Sequence, residues 1–514
     1  MSHHHHHHGS MNTINRERNE NAINKGLNKL NTLEEFYVGS GILLTGATGF
    51  VGKAVLEKLI RMCPRIAAIF ILLRPKTDET IEQRFKKLID DPIYDDIKAK
   101  HPSTLSRVYP MRGDLSLPDL DLSREDRNLL LEKVNIVFHA AATVIFNEPL
   151  QVTINVNTKG TVRVIDLWNE LKHPISFVHV STAFSNANLH EIGERVYTTS
   201  LKPSEVIDMC NKFDKTSINE IEKKILKTYP NTYTFSKNLA EQIVASKCKD
   251  MPVAIVRPSI IGASMEEPCP GWIQNISAIT GIMLLIGRGC ATAIRGRRDG
   301  RVDVVPLDYV VDMIICTAWH VTLHPKHEVK VYNCTSSANP IRWGDFQQLV
   351  LKHSKETPLN DTLWYPGCPM IANKYIFNVL SVIPYVLPAF IIDIFLRLRG
   401  SKPIMMKLLK SSYKLFTSVS HFTMNEWTFQ RDNCSDLARK VKMLHDSDMV
   451  KLDLRDMKWE KYIVIYLMGI RKFILKQEFQ PTARQRLSRL YWIHQITKIS
   501  GIISLLWIIL YFVY

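Results

Sequence analysis

One stretch, Thr45-Gly46-Ala47-Thr48-Gly49-Phe50-Val51-Gly52, constrains this chain more than any other. The apolar run Gly41-Ile42-Leu43-Leu44 precedes it, and helix-spaced apolar residues continue from Phe50 to Met62, where Pro64 ends the pattern. A buried strand, a glycine-rich turn and a helix, in that order, open a dinucleotide-binding βαβ unit. Gly46 permits the tight turn out of the strand, Gly49 lets the backbone approach a pyrophosphate, and Gly52 lets the helix pack closely on the strand. The helix start offers free N–H groups and a positive dipole end to the phosphates. On this reading Thr45, Gly46, Thr48, Gly49, Phe50 and Gly52 line a dinucleotide.

The rest of the first two thirds fits that opening. Ile66–Leu73, Val134–His139, Ile175–Val180 and Val253–Val256 read as further buried strands, separated by helical stretches such as Lys159–Leu171. The alternation predicts an α/β fold: a Rossmann-like, doubly wound parallel sheet with helices on both faces. The end of the second strand selects the cofactor. A site for NAD places an acid there to hold the ribose 2′-hydroxyl. Residues Ile66 to Lys76 contain none and end in Arg74-Pro75-Lys76, so Arg74 would pair with a 2′-phosphate and NADPH is preferred. Asp114 and Leu115 are placed beside the adenine. Ala140 and Ala141, small residues after a strand, admit the cofactor closely, and Pro258 closes a strand at the same sheet edge. His139 reads as a core histidine.

Tyr233-Thr234-Phe235-Ser236-Lys237 sets a phenol and an ammonium four residues apart, on one face of a helix. A nearby ammonium lowers a tyrosine pKa and makes the phenol a competent proton donor. Ser181 and Thr182 follow the strand Ile175–Val180, where open parallel sheets bind ligands, and a hydroxyl there can hold a carbonyl oxygen. The catalytic set expected from the residues is Tyr233, Lys237, Thr182 and Ser181. No metal site is expected: the nine cysteines are scattered without CxxC spacing, which also argues against a disulfide framework.

Charge and hydropathy divide the chain. Its net charge is +16, and from Arg397 to Tyr514 there are 21 Lys or Arg against 9 Asp or Glu. That basic region is also rich in apolar runs, which suits a lipid surface and not a nucleic acid. Tyr375–Leu396 is apolar but interrupted by Pro384, Pro388 and Asp393, so it is expected to form a pair of short helices. Ile499–Tyr514 is almost wholly apolar and about 24 Å long as a helix, short against a bilayer core of about 30 Å. Arg484, Arg486 and Arg489 precede it and point to a cytosolic catalytic domain by the positive-inside rule. The expected organisation is an expression tag at 1–10, a disordered segment at 11–34, a catalytic domain at 35–362, a mainly helical domain at 363–480, and a basic segment with a hydrophobic membrane anchor at 481–514.

Taken together, these stretches resemble the extended short-chain dehydrogenase/reductase superfamily, and within it the fatty acyl-CoA reductases. The resemblance rests on Leu43 to Lys53, Val180-Ser181-Thr182-Ala183-Phe184, Tyr233 to Lys237, Arg257 to Gly262, Pro270-Gly271-Trp272, Val331 to Cys334 with the Trp343 segment, and a C-terminal "sterile" domain. It implies reduction of a long-chain acyl-CoA by NADPH to a primary alcohol through an aldehyde, with CoA released. Tyr233 would donate the proton, Lys237 would hold the nicotinamide ribose, Thr182 would be the catalytic hydroxyl in preference to Ser181, and Asn157 a structural or proton-relay residue. Two alternatives stay open: release of the aldehyde, and a membrane-bound hydroxysteroid dehydrogenase. The expected partners are acyl-CoA and membrane lipid at the endoplasmic reticulum, peroxisome or lipid droplet, with no nucleic acid. An oligomer is compatible with the pattern but leaves no sequence signature.

Overall fold

In a computed structural model the described residues are 30–142, 145, 148–291, 293–324 and 328–514. The tag and residues 11–29 of the segment expected to lack structure lie outside them. Leu33 and Glu34, expected in that segment, instead open a helix, Leu33–Tyr37, whose first N–H groups donate to Asp446. That contact comes from more than four hundred residues away, while Thr32 supplies a local cap, its Oγ1 accepting from the Glu35 N–H at 3.2 Å.

Seven parallel strands form the central sheet: β1 (Gly41–Thr45), β2 (Ala68–Leu73), β3 (Val108–Arg112), β4 (Ile136–His139), β5 (Ser176–Val180), β6 (Val253–Pro258) and β7 (Lys330–Cys334), in the order β7-β6-β5-β4-β1-β2-β3. The expected doubly wound fold is therefore present. β1, β4, β5 and β6 are buried along their whole length, so most of their side chains are apolar on both faces, with Thr45, His139, Ser176, His179 and Arg257 the polar ones among them. Ile42 and Leu44 face helices α1 (Phe50–Met62) and α4 (Leu307–His320). Leu43 faces the opposite layer, built on α2 (Gly160–Glu170) and α3 (Thr232–Lys247). The strand order reverses between β1 and β4, and a crevice at the carboxyl ends of such strands is where open α/β sheets hold ligands.

The later part of the chain adds α5 (Lys374–Leu398), α6 (Met405–Ser418), α7 (Trp459–Gly469) and α8 (Thr482–Val513). It shares a core with the earlier part: Tyr462 and Tyr466 of α7 pack among Ile282, Met283 and Phe346. The Pro270-Gly271-Trp272 stretch is fastened there. Gly271 has φ +75°, and a Cβ on Gly469 would lie 1.8 Å from the Gly271 carbonyl oxygen, so the two backbones touch where only glycine fits.

One expectation for this part needs correction. α5 is one continuous helix of 25 residues and not two short ones. Pro384 and Pro388 stand four residues apart, so their missing N–H groups fall on one side and leave the remaining hydrogen bonds to carry the helix. The basic segment and the apolar tail form a single helix, α8, of 32 residues, about 48 Å long. Both α5 and α8 are long and apolar enough to cross a membrane, with mean hydropathies of 2.3 and 2.0.

Candidate active site

The glycine turn is an interlocked cradle. Gly46 has φ +79°, and a Cβ there would lie 2.8 Å from the Ala141 backbone; a Cβ on Gly52 would lie 1.9 Å from the Gly46 carbonyl oxygen. Gly49 is the N-cap of α1 and makes no side-chain cap, so the N–H groups of the first turn have no side chain to bond. Thr48 and Gly49 are exposed beside them, and Phe50 packs on Trp272 at 5.2 Å between ring centroids. These features fit a dinucleotide: every site where a side chain would obstruct a pyrophosphate is glycine, and the bare helix start complements its charge.

Thr45 does a different job from its neighbours. Its Oγ1 accepts hydrogen bonds from the Ala140 and Ala141 N–H groups, each 3.1 Å, and lies 2.7 Å from His139 Nδ1. It clamps β1 to β4 and shapes the cradle from beneath. His139 is fully buried, and burial beside the Lys237 ammonium pushes it down to about 3, so it is a neutral core residue.

Arg74 is exposed just beyond β2. The guanidinium of Arg84 donates to its carbonyl oxygen, so a second cation stands beside Arg74. Asp114, past the end of the adjoining β3, accepts from the N–H and Oγ of Ser116 at 2.9 and 2.7 Å, which fixes the turn. The Leu115 carbonyl accepts from Arg163 at 2.6 Å.

The residues expected to react gather at the end of β5 and in the first turns of α3. Asn231 caps α3, its Oδ1 accepting from Thr234 N at 2.8 Å, and this places Tyr233 in the first turn and Lys237 one turn further. Tyr233 is hydrogen-bonded to the side chain of Thr182, which follows β5. Burial raises the phenol to about 12, and the Thr182 hydrogen bond opposes that rise. Lys237 donates to the Val180 carbonyl at 2.8 Å, and burial lowers it to about 8. The ammonium is thus tied to the end of β5 and is not among the groups that shift the phenol, so the expected lowering of the tyrosine pKa by Lys237 is not what acts here.

Ser181 and Thr182 are separated by their partners. Ser181 Oγ donates to Glu241 at 2.5 Å, and Glu241 forms a fully buried ion pair with Arg257 at 2.6 Å. Arg257 also donates to the carbonyls of Gly193 and Arg195. Ser181 is therefore part of a structural network that also holds Pro258, the residue after Arg257 at the end of β6, and Thr182 is left to face Tyr233. Asn157 lies in a π-helical segment, Ile154–Lys159, and donates to Ser236 Oγ of α3 at 3.0 Å.

Three residues escape the sequence reading. Glu241 stands four residues after Lys237 on the same helix face, a signal that was available. Arg84 and Gln274, whose Nε2 donates to the Thr48 carbonyl at 3.0 Å, come from elements with no motif. In the stretch Arg295 to Arg301, which carries four arginines, Arg301 pairs with Glu426 and Arg297 with Asp299.

Two family models, both described as male sterility protein, match residues 44–314 and 384–477. Fatty acyl-CoA reductase 1 of Homo sapiens is 35% identical over 462 residues, which is 89% of this chain and 90% of that protein. Fatty acyl-CoA reductase 2 of Homo sapiens is 33% identical over 470 residues, 91% of each. Among solved structures, the terminal R domain from the myxalamid PKS-NRPS pathway matches with a TM-score of 0.58 at 18% identity, covering 86% of this chain and 93% of that one. The reductase domain of a nonribosomal peptide synthetase from Mycobacterium tuberculosis matches at 0.55 and 17%, covering 88% and 96%. These structural likenesses speak to the fold.

Proposed function

This chain belongs to the fatty acyl-CoA reductase family, and from that premise we propose that it reduces a long-chain fatty acyl-CoA with NADPH to the primary alcohol through an aldehyde, releasing CoA. It is an oxidoreductase with a nicotinamide-dinucleotide fold. The observation that carries the finer reading is the hydrogen-bonded pair of hydroxyls, Thr182 and Tyr233, at the carboxyl end of β5 beside the β1–β4 crevice.

Gly46, Gly49, Gly52 and the first turn of α1 would hold the pyrophosphate. Arg74, with Arg84 beside it, would hold the 2′-phosphate that marks NADPH. A bound NADPH supplies hydride to the substrate carbonyl carbon, once for the thioester and once for the aldehyde. Thr182 and Tyr233 bind the carbonyl oxygen and stabilise the negative charge that develops on it. Tyr233, whose phenol keeps its proton at neutral pH, gives that proton to the alkoxide of the alcohol-forming step. Lys237 holds its charge next to this site and presents its remaining N–H groups to the nicotinamide ribose. Collapse of the first tetrahedral adduct breaks the C–S bond, and CoA leaves as the thiol after taking up a proton. Each alcohol therefore consumes two hydrides and two protons. None of these steps needs a nucleophilic cysteine, and Cys290, Cys334 and Cys368 are held as neutral thiols by burial.

A membrane location is supported by α8, whose apolar window has none of its residues buried in the protein. Arg484, Arg486 and Arg489 at its start favour a cytosolic catalytic domain by the positive-inside rule. The family favours an acyl thioester over a sterol. In vesicles, the full chain with NADPH and palmitoyl-CoA is expected to give hexadecanol by gas chromatography, and no turnover of a ketosteroid. Tyr233→Phe lowers turnover by roughly 10²–10⁴-fold with cofactor binding retained. Accumulation of hexadecanal without alcohol would replace the alcohol-forming reading, and full turnover by Tyr233→Phe would remove the phenol from the reaction.

A further inference from the structure

Helices α5 and α6 form an antiparallel hairpin. Phe377 near the start of α5 stacks on Tyr413 near the end of α6, and Asp393 near the end of α5 accepts from the Met405 and Met406 N–H groups at 2.8 and 3.1 Å. The buried residues of α5, Phe377, Ser381, Ala389 and Asp393, share one face. The opposite face is apolar and bare: Ile383 and Leu387 are 66% and 65% exposed, and Phe390, Ile391, Ile394 and Leu398 continue the same stripe. Among the described residues no element covers it.

By length and hydropathy α5 could span a bilayer, but its partner forbids that. Lys407, Lys410 and Lys414 form an exposed stripe along α6, and Arg397, Arg399 and Lys402 crowd the tip of the hairpin. None of these six makes an ion pair among the described residues. Carrying α6 and the tip across a bilayer would place several unpaired cations in hydrocarbon, at about 2.5–3.5 kcal/mol each at its centre. Lying flat satisfies both faces: the α5 stripe enters the acyl region and the cations meet lipid phosphates. The hairpin is also joined to the other apolar helix. In the loop just before α5, Trp364 Nε1 donates to His494 of α8 at 3.2 Å and Tyr365 packs on Tyr491 at 5.1 Å, immediately ahead of the bare part of α8.

We propose that the α5–α6 hairpin is a second membrane contact, lying in the headgroup–acyl boundary of an anionic leaflet without crossing it. This rests on the membrane reading of α8 given above. Two helices rooted together, one inserted and one flat, fix the orientation of the catalytic domain on the lipid surface.

The test uses the full chain in sealed vesicles of phosphatidylcholine and phosphatidylserine, with S401C at the tip, L387C on the stripe, or W507C in α8. An impermeant maleimide added outside is expected to modify the S401C thiol on every molecule whose catalytic domain faces outward. A nitroxide on L387C is expected to be oxygen-accessible at a depth of about 5–10 Å. Protection of S401C until detergent is added would show a spanning hairpin and overturn the proposal. So would a nitroxide at 387 that water-soluble nickel reaches freely. Strong dipolar broadening between labels at 387 would assign the face to a second copy, with the same consequence. The nitroxide on W507C separates the two readings: lipid contact there with water contact at 387 sinks only the hairpin, and water contact at both sinks the membrane reading itself.

Discussion

The catalytic crevice and the α5–α6 hairpin follow opposite rules. In the crevice, strongly polar groups are buried and mostly paired: Ser181 with Glu241, Glu241 with Arg257, Lys237 with the Val180 carbonyl, and Tyr233 with Thr182. On the hairpin, large apolar groups are bare and cations have no ionic partner. The crevice is built so that water is unnecessary, because unmade hydrogen bonds there are costly. On the membrane reading proposed above, the hairpin suits a medium that is neither protein nor water.

The comparison breaks most visibly if the buried pair is cut. Glu241→Gln leaves the Arg257 guanidinium buried without its counter-charge and is expected to cost about 3–5 kcal/mol in urea unfolding. A loss below about 1 kcal/mol would mean that the network is solvated and the crevice not dry.

A second effect is read as a pH profile. Lys237 is held down to about 8 by burial, so its ammonium is present below that pH and lost above it. If that charge supports turnover, kcat/KM falls about tenfold per unit as pH rises beyond about 8. Lys237→Arg should keep the charge and remove this limb. A wild-type profile flat to pH 10 would detach Lys237 from the chemistry.

Smaller still is the effect at the cofactor rim. Arg74→Ala is expected to raise KM for NADPH by about tenfold with kcat nearly unchanged, since a charged hydrogen bond contributes about 1.5 kcal/mol at such a site. Equal KM values in the two proteins would move 2′-phosphate recognition to Arg84. Least of all, Leu387→Ser should shift the detergent-phase unfolding free energy by under about 0.5 kcal/mol, because that side chain packs on no protein core. A loss of several kcal/mol would reveal an intramolecular partner for the bare face.

Legibility in the sequence follows the range of the interactions concerned. α1 runs from Phe50 to Met62 as its pattern predicts, because strand, glycine turn and apolar period all agree there. Five of the seven strands were legible for the same reason, as short apolar runs between helices, whereas the edge strands β3, partly exposed and carrying Pro110, and β7 were not read as strands. α5 was misread because two prolines are a strong local signal, and only the structure shows their gaps stacked on one side. The choice between Ser181 and Thr182 could not be made from adjacency. It depends on Glu241, brought in from sixty residues away, although its spacing from Lys237 hinted at a shared face. The role of Thr45 as a clamp needed the register that sets Thr45 opposite His139. The spacing of tyrosine and lysine led to an expected lowering of the phenol, whereas burial raises it and the Thr182 hydrogen bond, not the Lys237 charge, opposes that rise.

The central claim is that a thioester carbonyl is reduced twice in the crevice beside Tyr233. NADPH carrying deuterium at the transferable C4 position, incubated with the full chain and palmitoyl-CoA, tests it most directly through mass spectrometry of the product. The account predicts hexadecanol with two deuterium atoms on C1 and free CoA in equal amount. Alcohol carrying no label at C1, or unaltered palmitoyl-CoA beside oxidised cofactor, would contradict it.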